Sequence, residues 1–284
     1  MAATQTPTPV TPATPGRPST SRWPKIDLRE RPEIVLIPLS FVILVTAWET
    51  LVGVFNMPAY ILPPPSDIYT TLVGQLQSAN FYNNLRVTSI EILAGYGLGA
   101  TFAFLMAIGV VQSRLIEKTI FPYVVALQAV PKVALAPLFV IWFGFGMQSK
   151  IVVAALVSFF PILVNTIDGL RSANPDLLEL LRSLGASKRQ VFLKVKLPNS
   201  MPFVFAGLDI GIVFAVIGAV VGEFVGAKAG LGFQMLQYIY NFDIAGLFAI
   251  IIVLSAMGLF GHLVVRALQR RFAGWASPSH VIGS

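Results

Sequence analysis

Asn174 to Pro198 reads NPDLLELLRSLGASKRQVFLKVKLP, the longest strongly polar, basic interval between two hydrophobic blocks of the chain. With Arg171 just before it, the stretch carries Arg171, Arg182, Lys188, Arg189, Lys194 and Lys196 against Asp176 and Glu179. The pattern predicts two short helices broken at a glycine. Asn174 is placed to cap the first, with Pro175 at its first helical position, where a missing N–H is not needed. Gly185 is placed to end it. Ser187, followed three residues later by Gln190, reads as a capping box that opens the second. Leu177, Leu178, Leu181 and Leu184 line one side of the first helix; Val191, Phe192 and Val195 line the second. Amphipathic helices of this kind rest an apolar stripe on a partner surface. From the residues alone, that surface is either another protein or the phospholipid headgroups that a basic loop attracts.

The flanking blocks decide the fold class. Of 284 residues, 55% are hydrophobic and 12% charged, about half the charge of a soluble globular chain. Several apolar runs approach or exceed the length that crosses a bilayer. The chain therefore reads as an all-α polytopic membrane protein. Its net charge of +7 is the signature of basic cytoplasmic loops rather than of nucleic-acid binding. There is no cysteine, which excludes disulfides, thiolate metal sites and a cysteine nucleophile.

Six transmembrane helices are expected, with residues 1–31 as a cytoplasmic tail, 32–272 as the membrane domain and 273–284 as a second cytoplasmic tail. The start of the first tail is rich in Thr, Pro, Ala and Ser, a composition with little to bury. No small-residue cleavage site follows a short apolar core, so no cleaved signal peptide is expected. The first span is read over 34–54, followed by a proline-rich external segment and a surface helix over 67–77. The second covers 87–111, where Gly95, Gly97 and Gly99 give a smooth face for close helix contact. The third block, 120–143, contains Pro122, Pro131, Lys132 and Pro137. An uninterrupted lipid-facing helix is a poor account of it, because broken backbone is tolerated only beside protein or a wet cavity. The fourth span is 151–167, the fifth 203–221 and the sixth 245–267, with an external or re-entrant connection before the last. Of 20 Lys and Arg residues, 16 fall in segments assigned to the cytoplasm, and Lys150 and Lys228 in clear external segments. That asymmetry places both termini in the cytoplasm.

Ionisable residues inside the apolar blocks are costly and mark either a solute pathway or a structural pair. Lys132 is the expected cation, free to neutralise Glu91, Asp209 or Glu223 across the bundle or a dimer axis. Both readings stay open for each carboxylate. Phe139, Trp142, Phe143 and Phe145 suit a gate or an interfacial aromatic belt equally. His262 is the one histidine within a span and suits a helix contact better than a metal site.

No GxxxxGK[ST], HExxH or GxSxG sequence occurs, so the chain has no evident nucleotide-hydrolysing or hydrolase machinery. Glu179, Gly185 and Leu197-Pro198 resemble the cytoplasmic loop of bacterial ABC-importer permeases, with Leu180 and Leu181 where the family has two alanines. The resemblance runs from about 61 to 270 through LPPPSDIY (62–69), AVPKVALAPLFVIWFGFG (129–146) and GEFVGAKAGLG (222–232). These segments look like the branch that handles nitrate, sulfonates, taurine and small aromatic or pyrimidine compounds. The resemblance implies the type I importer permease fold, with residues 171–198 as a coupling-helix loop that docks on an ATPase subunit through Glu179, Arg182, Gly185, Ala186, Leu197 and Pro198. It implies a second copy of the permease, two cytoplasmic ATPase subunits that hold ATP and Mg, an external solute-binding protein and a location in the bacterial cell membrane, among membrane lipids and without nucleic acid. No cofactor is expected in this chain. Glu223 falls near the external gate by the same resemblance, and Lys132, Phe139, Trp142, Asp209 and Glu223 are the pathway or gate candidates. TSIEILAGY (88–96) and AVIGAVVGEFVGAKAGLG (215–232) look more like permeases for pyrimidine or flavin precursors than like sulfonate permeases. A secondary transporter acting without an ATPase and a non-transporting membrane scaffold are the alternatives; no convincing pair of repeats with matching broken helices favours the first of these.

Overall fold

The computed structural model describes residues 33–273, in which every regular element is a helix. The tail expected over 1–31, and all but Ala273 of the one expected over 273–284, lie outside the described residues. The chain divides into two compact units, the boundary falling between Trp48 and Glu49. In the first, the described residues, 33–48, belong to α1 (Glu33–Val54). Val35, Ile37, Phe41 and Leu44 are each at least half exposed. A helix apolar on every side has hydrocarbon as its natural solvent.

The second unit is a helical bundle with three central members: α3 (Ala79–Gln112), α6 (Met147–Arg171) and α9 (Leu197–Gly226). α6 lies between the other two, and small residues set the distance. A Cβ on Gly95 would stand 2.5 Å from the Cβ of Ala154, and one on Gly218 would stand 2.7 Å from its Cα. Lipid supplies no hydrophobic drive between helices, so close backbone approach and dispersion must hold them. α11 (Ile244–Phe272) packs on α9, and α2 (Pro65–Gln75) on α11. Glu49 anchors the start of α2, accepting from Ser66 N at 3.1 Å and Ser66 Oγ at 2.8 Å.

Among the described residues, five helices are long and apolar enough to cross a membrane. A sixth crossing exists only if the bent pair over 115–143 counts as one span. There α4 (Arg114–Gln128) gives way to a 3-10 turn at Lys132–Leu135 and then α5 (Ala136–Phe143), with a 91° bend. Pro131 sits at the break, as the proline pattern led one to expect. The surface helix starts at Pro65 and ends at Gln75, two residues earlier at each end than expected.

The fifth span departs from expectation more. α8 (Lys188–Val191) does not stop before it but continues through a π turn at Phe192–Lys196 into α9. Leu197 and Pro198 therefore lie inside one helical run, not at the end of a loop. Proline at the second position of α9 leaves no intrahelical donor missing where the wider turn already breaks the i→i−4 pattern.

Candidate functional site

The bundle has two ends. The loop from Arg171 to Lys188 lies at one, with the end of α3 and the end of α11; the connection between α9 and α10 (Leu231–Tyr240) lies at the other.

At the loop end, α7 (Pro175–Ser183) is built by its own sequence. Asn174 Oδ1 accepts from Asp176 N at 2.8 Å. Gly185 takes φ +79°, with Gly185 N donating to the Arg182 carbonyl at 3.0 Å and Ala186 N to the Leu181 carbonyl at 2.9 Å. This pair of bonds is the left-handed glycine cap. The Ser187–Gln190 capping box forms in both directions, at 3.3 and 2.8 Å. The apolar stripe is shifted from the expected one: Leu177, Leu180 and Leu184 face outward, while Leu178 and Leu181 are half-buried against the chain. Glu179 and Arg182 are exposed on the same short helix, Gly185 is exposed at its end, and Ala186 is half-buried in the turn. Leu197 and Pro198 are half-buried in the continuing helix. The base of the loop is tied across by Asn199 Nδ2, which donates to Ser172 Oγ at 2.8 Å.

Within the chain, Lys132 on the bent span takes partners other than Glu91, Asp209 and Glu223. Its Nζ donates to the Gln128 carbonyl at 2.9 Å and stands 4.6 Å from the centroid of the Phe160 ring. It thus satisfies a carbonyl at the end of α4, favourable for a cation at a helix C-terminus, and shares its charge with an aromatic face. Phe139 packs beside Val153 and Val157, and its ring meets that of Trp142 edge-on at 5.8 Å. Trp142 and Phe145 are exposed.

The cation near the buried carboxylates is Lys150, which the basic-residue pattern had placed outside. It is 1% exposed, and its Nζ donates to the carbonyls of Phe145 (2.8 Å) and Gly226 (2.7 Å). Glu91 and Glu223 face one another beside it, both fully buried. Glu223 Oε1 accepts from Thr88 Oγ1 at 2.6 Å, and Glu223 Oε2 accepts from Gly232 N. Thr88 Oγ1 in turn accepts from Leu231 N at 2.7 Å, and Asn84 Oδ1 accepts from Gly230 N at 2.9 Å. Three backbone N–H groups at the start of α10 are thus met by acceptors on α3 and α9, the carboxylate among them. A Cβ on Gly232 would lie 2.7 Å from Glu223 Oε2, which is why the turn has glycine there. The cluster fixes the α9–α10 turn and leaves Lys228 exposed at its tip.

Asp209 joins a different pair. His262 Nδ1 on α11 stands 2.5 Å from Asp209 Oδ1 on α9, the helix contact that the lone histidine suggested. His262 also ends an open apolar cavity of about 620 Å³ between α9 and α11, lined in part by Val213, Ile217 and Ser255. The five pathway candidates are therefore spread over three places: Lys132, Phe139 and Trp142 along the bent span, Asp209 with His262, and Glu223 in the buried cluster. Sequence reasoning missed Lys150, Thr88, Asn84 and Gln234. Thr88 and Asn84 lie four residues apart on α3, which was their one signal; the long-range partners are Glu223 for Thr88, Gln234 for Asn84 and the Gly226 carbonyl for Lys150, each more than 70 residues away in the chain. Among the described residues, no group of three or more His, Cys, Asp or Glu side chains is placed to hold a metal ion.

Residues 99–274 match the family described as the binding-protein-dependent transport system inner membrane component. The formylaminopyrimidine transport permease protein ThiX of Halalkalibacterium halodurans is 37% identical over 237 residues, 84% of this chain and 94% of the relative. The riboflavin transport system permease protein RibX of Chloroflexus aurantiacus is 32% identical over 89% of this chain and 91% of its own length. The putative aliphatic sulfonates transport permease protein SsuC of Bacillus subtilis is 30% identical over 82% and 84% respectively. Among solved structures, an inward-facing MetNI methionine ABC transporter chain is similar in fold, with a TM-score of 0.50 at 22% identity, covering 66% of this chain and 94% of that one.

Proposed function

Because this chain belongs to the family of binding-protein-dependent transport system inner membrane components, and so is the multi-pass, non-catalytic permease subunit of an ABC importer, we propose that α7 is its docking element for the ATPase and that it imports a small aromatic, pyrimidine or flavin-precursor solute. The observation that carries the docking reading is the exposed leucine stripe at the loop end. Leu177, Leu180 and Leu184 stand on a two-and-a-half-turn helix closed at both ends by its own caps. A rigid, separately capped amphipathic helix is suited to seat in a groove of a partner. Glu179 and Arg182 flank the stripe with opposite charges, which give such a contact its register. Two copies of the permease enclose the path, two ATPase subunits holding ATP and Mg bind the loop end, and the solute-binding protein meets the opposite end, where Lys228 is exposed. In this orientation the loop end, and with it both chain termini, faces the cytoplasm.

The solute class rests on the relatives. Those whose names give formylaminopyrimidine and riboflavin share 37% and 32% identity with this chain over most of its length. The aliphatic sulfonate permease, at 30%, supports the second reading, a sulfonate or related oxyanion. The deciding experiment is a binding screen with the cognate solute-binding protein across flavins, thiamine-type pyrimidines, aromatic acids, taurine, alkanesulfonates and nitrate. The compound bound best should also stimulate ATP hydrolysis by the reconstituted complex. Selective binding and stimulation by taurine or nitrate would replace the aromatic reading with the oxyanion one. Stimulation by no compound in an intact complex would overturn import.

A further inference from the structure

The last residue of α6 reaches sideways from the root of the docking loop to another helix. Arg171 Nη2 stands 2.5 Å from Glu117 Oε1, and the Arg171 guanidinium carbon stands 4.8 Å from the centroid of the Phe121 ring. Glu117 and Phe121 are four residues apart on α4 and so lie on one face of it. A guanidinium is suited to this double contact, since its edge donates to a carboxylate while its plane stacks on an aromatic ring. Phe121 also packs against the apolar cluster to which Ile167 and Leu170 of α6 belong, so the arginine lies beside an apolar contact region of the bundle.

The position matters because of what lies on either side. Pro175, the first residue of α7, follows four residues later. The loop root is already held to α9 by the Asn199–Ser172 hydrogen bond, and Gly169 lies so near Phe203 that a Cβ there would be 2.6 Å from the Phe203 Cβ. The other link from the root runs to α4, which leads through the 91° bend to α5 with Phe139 and Trp142. We propose that Arg171 is a positioning residue that carries displacement of the docking loop into α4 and the bent span, through Glu117 and Phe121. This rests on the reading of α7 as the ATPase docking element. Half-exposed ion pairs contribute little to folding stability, so losing this one should alter coupling and leave the fold intact.

The test uses the whole importer with its ATPase and solute-binding protein in lipid nanodiscs for ATP hydrolysis, and in vesicles for solute uptake. With Arg171→Gln, assembly and basal hydrolysis should be unchanged. Solute imported per ATP should fall about fivefold or more, the range that loss of a coupling interaction gives. Arg171→Lys, which keeps the charge without the planar fork, should be intermediate. The exchange Glu117→Arg with Arg171→Glu should recover at least half of the lost coupling. A merely structural role would not move the solute-to-ATP ratio in an assembled complex with normal basal turnover. A wild-type ratio in Arg171→Gln, or an exchange no better than the worse single variant, overturns the proposal. If Arg171→Gln fails to assemble, Glu117→Gln decides, because it leaves the Phe121 contact in place: an unchanged ratio there is equally fatal. If Glu179→Ala and Gly185→Arg leave ATPase association and stimulated hydrolysis normal, the docking reading fails instead.

Discussion

Lys150 on α6 closes the C-terminus of α9: its Nζ donates to the Gly226 carbonyl at 2.7 Å, across 76 residues of sequence. The last carbonyls of a helix have no partner within it, and a cation there also meets the negative end of the macrodipole. The same ammonium holds the Phe145 carbonyl and lies beside the buried Glu91 and Glu223. Removing the ammonium leaves the Phe145 and Gly226 carbonyls buried without this donor, which costs about 1–3 kcal/mol. Lys150→Met should therefore lower the thermal unfolding midpoint of the purified permease clearly. Lys228→Met, at the exposed tip of the neighbouring turn, should change it little, by about 0.5 kcal/mol or less. Equal effects of the two would remove Lys150 from its assigned place.

The glycines of α3 give a second test with an internal control. A Cβ on Gly95 would meet Ala154 Cβ at 2.5 Å and the Ile151 carbonyl oxygen at 2.8 Å, whereas one on Gly97 would meet nothing within 4 Å. Gly95→Ala should destabilise by about 1–3 kcal/mol, since α3 must back away from α6. Gly97→Ala should be neutral or slightly stabilising, by up to about 1 kcal/mol, because alanine is the better helix former. Midpoints measured in the same detergent separate the two, and the reverse order would contradict the α3–α6 packing.

In the loop after α7, Gly185 has open space around a hypothetical Cβ but a φ of +79°. The penalty for a side chain there is conformational rather than steric, about 1–2 kcal/mol for an L-residue in the left-handed region. Gly185→Asn should be mild and Gly185→Val severe, because asparagine tolerates that region and a β-branched residue does not. Glu179→Ala and Gly185→Arg should reach the membrane yet bind the ATPase weakly or lose solute-stimulated hydrolysis. Co-purification with the ATPase and the ratio of stimulated to basal turnover are the measurements. Normal values for both variants would dissociate α7 from docking.

Orientation is open to direct labelling, as the chain has no cysteine of its own. Single cysteines at Pro64 and Lys228 should react with an impermeant maleimide in sealed cells, and one at Gly185 only after permeabilisation. Reaction at Gly185 from outside would invert the proposed topology. The burial of Lys150 makes this measurement more telling, because one of the two lysines counted as external takes no part in a loop.

Local chemistry was legible in the sequence. Asn174, Gly185, Ser187 and Gln190 cap their helices through bonds to residues within five positions, so the side chain that makes each cap stands beside the backbone that needs it. The break near Pro131 follows from a ring that cannot donate and that restricts its predecessor. The membrane class followed from composition, because apolar runs of this length have few other solvents.

What only the tertiary structure decided are the pairings between distant helices. Read along the chain, Lys132 is the cation inside an apolar block and Lys150 a residue of an external segment. One caps the end of its own helix segment, and the other is turned inward to the end of α9 with two glutamates beside it. Likewise nothing local joins Thr88 to Glu223 and Leu231, Asp209 to His262, or Arg171 to Glu117. Periodicity states that a residue lies on one face of a helix; it does not state which helix that face meets. That choice is made by how closely the glycines of α3 and α9 let α6 approach, a packing condition that involves all three helices at once.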